Sequence, residues 1–286
     1  LRVDLHCHTT ASDGALSPLA LCQRAAQHGV ELLAITDHDS VAGTRAARAA
    51  LRDQSVPGLR LLTGVEYSTV WNHQGVHVVG LGIDEEHAAT LEACRFFSEA
   101  RRTRADMIGA RLAKLGMPGA TEGALALAGE SQIGRPHFAR YLLAQGHVRS
   151  VDEAFDRFLG TGKPGDVKSL WPPLAEVVGW IRAAGGVAVL AHPSKYRQTG
   201  ARLRRLVADF AACGGGAVEV VVGRQLADES RFVAQLCAQN GLAASVGSDF
   251  HGPSPWCELG AINTLPAGCV PVWERWMDSQ CTMTEQ

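Results

Sequence analysis

The chain has 286 residues, 46% of them hydrophobic and 20% charged, with a formal net charge of −2. That is the composition of one large globular domain, or two small ones, with a substantial core. It excludes a globally basic nucleic-acid coat, though not a local basic pocket. No window approaches the ~18 consecutive apolar residues of a membrane span, so no membrane association is expected. The chain opens directly into an apolar run, with no basic segment followed by an apolar one, and no secretory signal is read. Eight cysteines are present without a C-x-x-C pair. In a chain of this length they read as free thiols of a reducing, cytoplasmic setting.

Strand-like runs recur at 3–6, 32–36, 61–67, 76–83, 187–191, 217–222 and 243–246. Helical periodicity lies between several of them. The first helix, 17–28, opens on Ser17-Pro18 and closes on Gly29, which are start and stop signals. Segments 42–52, 174–184, 203–212 and 229–239 behave likewise, three of them followed by Gly185, Gly214 and Gly241. Strands alternating with helices predict an α/β fold with a mostly parallel sheet. Polar residues at strand ends favour a closed or nearly closed barrel over a doubly wound sheet. The run at 76–83 departs from the pattern, because His77 begins it; the turn Asn72-His73-Gln74-Gly75 before it predicts a hairpin.

The alternation breaks between 85 and 170. Apolar residues at helical spacing, including Leu91, Phe97, Ile108, Leu112 and Leu115, predict a helix over 88–115, with shorter ones at 138–143 and 151–159. The expected organisation is a discontinuous barrel, 1–84 and 171–286, with 85–170 inserted as a helical cap over the active site. Residues 271–286 read as a short closing helix and a loose terminus.

His6 and His8 stand at i and i+2 at the end of the first run. On a strand both imidazoles share one face, and Cys7 turns to the other as a packing residue. Asp13 follows five positions after His8, and His38, Glu66, His77, His192, Asp249 and His251 adjoin later apolar runs. Each alone is weak, since an isolated histidine on an apolar run is more often a satisfied core residue. A rim crowded with ionisable groups needs something to pair them. Six imidazoles and three carboxylates, with no thiolate, suit two or three divalent ions of the manganese, iron or zinc type. Such ions supply hydroxide near neutral pH and neutralise phosphoryl charge.

The motifs H-x-H-x4-D, T-D-H-D, G-V-E, V-H-V-V-G-L, L-A-H-P and G-S-D-F-H run over almost the whole chain and resemble those of the polymerase and histidinol phosphatase (PHP) family. The resemblance implies a distorted (β/α)7 barrel, a trinuclear metal site and phosphoesterase activity. It implies one ion on His6, His8, Glu66 and Asp249, a second on Glu66, His77 and His192, and a third on Asp13, His38 and His251. Some members carry histidine where this chain has Asp13. Within the insertion, Gly134-Arg135-Pro136-His137-Phe138-Ala139-Arg140 and Gly162-Lys163-Pro164-Gly165 resemble the branch that hydrolyses 3′,5′-nucleoside bisphosphates or trims 5′-phosphorylated RNA ends.

The resemblance makes the expected activity removal of the 3′-phosphate from a 3′,5′-nucleoside bisphosphate, with manganese the preferred ion. Short 5′-phosphorylated oligonucleotides are further candidate substrates, and no obligate protein partner is expected. Arg135, His192 and Asp13 are the candidate catalytic residues. Arg135 precedes a predicted helix, where a guanidinium and backbone N–H groups can hold a phosphate together. Lys163 and Lys168 flank the return loop and could reach a second phosphate, and Ser194 follows His192-Pro193 as a possible donor. Gly160-Thr161-Gly162-Lys163 lacks the full P-loop pattern, which argues against nucleoside triphosphate binding. The arginines at 95, 101, 102, 104 and 111, diluted by Glu99 and Asp106, read as a solvated helix face. Histidinol-phosphate phosphatase and 5′-3′ exoribonuclease are alternatives within the family, and a non-catalytic metal-binding scaffold is the alternative outside it.

Overall fold

A computed structural model of the chain describes residues 1–277 except 130, 168, 169 and 197. Seven strands follow one another in both sequence and space: β1 (Val3–Asp4), β2 (Leu32–Ile35), β3 (Arg60–Trp71), β4 (Gln74–Leu81), β5 (Val187–Leu190), β6 (Ala217–Val222) and β7 (Ala243–Gly247). β1–β3 and β5–β7 pair in parallel, and β4 is antiparallel to both of its neighbours. The first and last strands approach each other: Leu5 N–H donates to the Val246 carbonyl at 3.2 Å, and Cys7 bridges Phe250. The result is a nearly closed (β/α) barrel. β2, β5 and β6 are buried at every residue, which is why they read as continuous apolar runs without alternation.

The hairpin between β3 and β4 turns at Asn72 and His73, with φ of 46° and 64°. Two consecutive left-handed residues match a primed hairpin turn, whose twist suits the flanking strands. This reversal resolves the exception in the sequence pattern. β4 runs against the other strands, so its beginning, where His77 sits, lies at the rim where they end.

Helices α1 (Pro18–Gln27) and α2 (Ala42–Asp53) cover β1 and β2, burying Leu21, Cys22, Ala25 and Ala47 against Leu33 and Ile35. Ser17 caps α1 through its hydroxyl, accepting from Ala20 N–H. Cys7 packs in this cluster, and its thiol donates to the Ala34 carbonyl. The seven cysteines among the described residues are all free thiols. Helices α7 (Leu174–Ala183), α8 (Gly200–Ala212) and α9 (Ala227–Gln239) join the main core behind the second half of the barrel. No helix among the described residues is long and apolar enough to cross a membrane.

Between β4 and β5 the chain forms α3 (Ala88–Ala113), α4 (Ala120–Ala128), α5 (Arg135–Ala144) and α6 (Val151–Ala154). These helices share a separate core around Ile108, Leu112, Phe138, Leu142 and Leu159. The first half of α3 packs Phe97 against Tyr67 and Trp180 of the barrel side. Two expectations change here. The predicted α-helix over 151–159 is α-helical only to Ala154, and Phe155–Leu159 wind as a π-helix. The expected closing helix is a 3₁₀ turn at Val272–Trp276, and the expected loose terminus, 278–286, lies outside the described residues.

Candidate active site

The nine candidate ligands come together at one rim of the barrel. Glu66, fully buried on β3, is at their centre. Its Oε1 lies 2.9 Å from His77 Nδ1 and 2.9 Å from His192 Nε2. Its Oε2 lies 3.3 Å from His6 Nε2, 3.3 Å from His8 Nε2 and 3.0 Å from His38 Nδ1. Asp249 Oδ1 stands 3.5 and 3.4 Å from the same nitrogens of His6 and His8. Asp13 sits apart with His251, 3.4 Å from its Nε2, and 3.9 Å from both His38 and His8.

Four overlapping groups could each hold an ion: His6, Glu66 and His192; His6, His8 and Asp249; His38, Glu66 and His77; and His8, Asp13, His38 and His251. The donor atoms also ask for one. His6 Nε2, both ring nitrogens of His8, His38 Nδ1, His192 Nδ1 and Glu66 Oε2 are buried without a hydrogen-bond partner. Unsatisfied polar atoms of this kind are costly unless a ligand completes them. The residues therefore fit divalent metal. They also divide differently from the expected sets: His8 faces Asp13, His38 and His251 as well as His6 and Asp249.

The electrostatics are strongly coupled. Burial opposes ionisation of Glu66, but the imidazoles of His6, His77 and His38 overcome it and hold the carboxyl well below its ordinary range. Burial pushes His38 well below the usual imidazole value against the pull of Glu66 and Asp13. Burial also works against the charged form of His251, yet its bond to Asp13 lifts it to about 9.

Backbone strain marks the same place. Among the described residues Asp39, His192 and Asp249 have φ of 55°, 32° and 53°. Left-handed backbone at a non-glycine residue is sparsely populated and is retained where surrounding contacts hold it.

Several functional side chains were not anticipated from sequence. Glu219, buried within β6, takes the His6 Nδ1–H at 3.0 Å and the His192 backbone N–H at 2.6 Å. This fixes the tautomer that turns His6 Nε2 toward Glu66 and Asp249. A register shift in the β6–β7 pairing falls at Glu219 and Val221, where a bulge re-aims side chains. Gly247 makes room for the pair: a Cβ there would stand 2.3 Å from His6 Cβ and 2.5 Å from Glu219 Oε1. The signal in the sequence was one carboxylate inside the otherwise apolar run Ala-Val-Glu-Val-Val-Val. Asp37 accepts from Thr9 N–H, Thr9 Oγ1 and Ser12 Oγ, tying down the loop that carries Asp13. Lys195 Nζ donates to Asp249 Oδ2 at 2.5 Å, and the Tyr196 hydroxyl accepts from His77 N–H.

A cavity of about 200 Å³ opens beside the ligand cluster, between the rim and the inserted helices. Asp13, His38 and His77 line one wall, and Arg101, Arg104, Arg135, His137, Phe155 and Trp171 line the other. Arg101 is held by Asp39, with Nε and Nη2 at 2.8 and 2.5 Å from its Oδ2. Arg104 and Arg135 form no ion pair among the described residues; each donates only to a carbonyl, of Val167 at 3.4 Å and Leu159 at 3.3 Å. Burial, with Arg135 and Arg101 nearby, lowers Arg104 to about 10. The solvated-face expectation thus applies to Arg95, Arg102 and Arg111, which are exposed, and is corrected at Arg101 and Arg104, which turn into the cavity.

Lys163 and Ser194 are not among the residues that line the cavity. Lys163 is exposed in the return loop. Lys168 lies outside the described residues. Ser194 donates its hydroxyl proton to Gln225 at 3.0 Å. His137 is buried at the start of α5, where its Nδ1 accepts from Gly134 N–H.

A family model for the PHP domain matches residues 4–159. A 5′-3′ exoribonuclease from Haemophilus influenzae is 43% identical over 96% of this chain and 98% of its own. A 3′,5′-nucleoside bisphosphate phosphatase from Chromobacterium violaceum is 40% identical over 96% of each chain. An amidohydrolase from Chromobacterium violaceum, solved with bound sulfate and no metal, superposes with a TM-score of 0.86 at 40% identity, over 96% of this chain and 95% of that one.

Proposed function

The chain belongs to the PHP domain family, and from that premise we propose that it is a metal-dependent phosphoesterase whose substrate is a 3′,5′-nucleoside bisphosphate. The products are a nucleoside 5′-monophosphate and phosphate. The observation that carries this reading is the adjacency of two sites of opposite demand. A buried cluster of imidazoles and carboxylates presents unsatisfied atoms suited to cations, and the cavity beside it holds Arg104 and Arg135, which form no ion pair among the described residues. A substrate with two phosphates on one ribose meets both needs at once.

His6, His8, Glu66 and Asp249, with His192 and His77 on the other face of Glu66 and His38, Asp13 and His251 beyond His8, would hold the ions. Manganese is the ion proposed, with iron(II) and zinc as alternatives for this donor set. When bound, divalent ions supply polarisation of the phosphoryl oxygens and activation of water near neutral pH. The protein's own residues do the positioning. Arg104 and Arg135 take the 5′-phosphate in charge-assisted hydrogen bonds. Arg101, pinned by Asp39, keeps α3 against the rim, so the distance between the arginines and the cluster is fixed. Glu219 holds His6 and the His192 backbone in register. The cavity is confined between the rim and the inserted helices, so the space between the two sites suits one nucleotide unit rather than several. Residues 85–170 serve as the cap that closes over that nucleotide.

The same placement accommodates a 5′-phosphorylated oligonucleotide. There the phosphorus at the cluster is a diester. A water oxygen bonds to it, the P–O3′ bond breaks, the 3′ oxygen gains a proton, and the phosphate stays on the next nucleotide as a new 5′ end. This unites the two activities named for the relatives in one geometry. Histidinol phosphate, with one phosphate and a cationic amine, leaves the arginines unmatched. A non-catalytic scaffold has no use for the unsatisfied donor atoms. Turnover of a 3′,5′-bisphosphate, histidinol phosphate and a 5′-phosphorylated trinucleotide with manganese tests the reading. Preference for the first and third is expected, and preference for histidinol phosphate overturns it.

A further inference from the structure

The described residues that line the cavity all belong to the first part of the chain, up to Trp171. The loops after β5 and β7 bound the ligand cluster from the other side, through His192, Asp249 and His251. If the upstream nucleotide fills the cavity, any chain continuing beyond the scissile phosphate leaves across these loops. The most exposed aromatic residue described stands there: Trp256 is 86% exposed.

Trp256 is presented by an anchored loop. Its loop begins at His251, whose carbonyl accepts from Ala15 N–H at 2.7 Å. The Ser254 hydroxyl accepts from the backbone N–H of Trp256 and of Cys257 at 3.3 and 3.0 Å. The Cys257 thiol reaches back to the carbonyl of Ser248, the residue before Asp249, at 3.5 Å. Next to it, Arg24 grips Glu258 with two hydrogen bonds of 2.9 and 2.5 Å. A bulky indole held in water by such a frame, one residue from a contact with the ligand strand, forms a platform rather than a piece of core. Lys195, exposed and bonded to Asp249, adds a cation at the same edge. An aromatic face beside a cation is the general means of binding single-stranded nucleic acid, because every base has a π-face.

We propose that Trp256 is a stacking platform for the nucleotide downstream of the scissile phosphate, so that it acts on oligonucleotide substrates and not on mononucleotides. This rests on the phosphoesterase reading above. The indole stacks on the first base of the departing strand, and Lys195 lies along its backbone. The contact involves no sequence readout.

The test compares wild type, Trp256→Ala and Trp256→Phe on a 3′,5′-bisphosphate and on a 5′-phosphorylated trinucleotide, with manganese present. Trp256→Ala should lower kcat/KM for the trinucleotide by roughly tenfold or more, the scale of one base–aromatic stack. Trp256→Phe should recover most of that loss, and bisphosphate turnover should stay near wild type in both variants. A trinucleotide that is abasic at its second position should remove the difference between wild type and Trp256→Ala. Equal losses on both substrates would assign Trp256 a structural role and overturn the proposal, as would an unchanged trinucleotide rate. If wild type hydrolyses neither substrate, the phosphoesterase reading fails and this proposal with it.

Discussion

The two walls of the active-site cavity are built on opposite electrostatic plans. On the barrel side, imidazoles and carboxylates crowd around Glu66, with lone pairs aimed at common points. On the helical side, Arg101, Arg104 and Arg135 gather, and among the described residues only Arg101 forms an ion pair. The first wall suits cations, through buried imidazole and carboxylate atoms left unsatisfied by the protein, and the second suits an anion. Residues that destabilise the protein alone and are relieved by a ligand mark a binding site more strongly than satisfied residues do. The walls also differ in scaffold. The ligand wall rests on strand ends fixed by the barrel, whereas the arginine wall rests on helices with their own core, held to the rim by contacts such as Arg101–Asp39.

Breaking the ligand wall should have the largest effect. Glu66→Ala removes the carboxylate that faces five imidazoles and should lower kcat by several orders of magnitude, with loss of bound metal in elemental analysis. Near-normal turnover at full metal occupancy would remove Glu66 from the site.

Breaking the arginine wall should separate binding from chemistry. Arg104→Gln or Arg135→Gln loses a charge-assisted contact, roughly 10–100-fold in kcat/KM for a bisphosphate. Turnover of a nucleoside 3′-monophosphate, which has no 5′-phosphate to lose, should change much less. Equal losses on both substrates would dissociate these arginines from the 5′-phosphate.

Loosening the support behind the ligand wall should cost less. Glu219→Gln should lower metal affinity or activity by about 10–100-fold, as loss of an orienting carboxylate does elsewhere. Gly247→Ala should act in the same direction by crowding His6 and Glu219. Metal titration followed by activity measures both.

The smallest effects are on stability and compare the walls directly. Manganese should raise the Tm of wild type through the ligand wall, and inorganic phosphate through the arginine wall. Arg104→Gln should respond to manganese as wild type does and respond less to phosphate. It should also match or exceed the anion-free stability of wild type, because a like charge is gone.

The sequence made one wall far more legible than the other. Eight of the nine candidate ligands adjoin an apolar run, so strand prediction and residue type together placed them at strand ends, and Asp13 followed from its spacing after His8; even the odd position of His77 had a local turn to explain it. Glu219 escaped because it lies inside a buried strand, and only the pairing of β6 with β7 turns it toward His6. Arg101 and Arg104 escaped because helical periodicity identifies a face without saying what packs on it. Trp171, which lies 5.3 and 5.6 Å below their guanidinium carbons, comes from a segment far along the chain. The π-helical turn that brings Phe155 to the cavity is equally invisible, since nothing in residue type distinguishes it from the α-helix it continues. Long-range placement, and not local propensity, separates the legible residues from the missed ones.

The central claim is that one nucleotide spans both walls with its 3′-phosphate at the ligand cluster and its 5′-phosphate at the arginines. Product analysis of a 3′,5′-nucleoside bisphosphate after a single turnover tests it most directly. The account predicts inorganic phosphate and nucleoside 5′-monophosphate. Nucleoside 3′-monophosphate as the product would place the phosphates the other way round and contradict it.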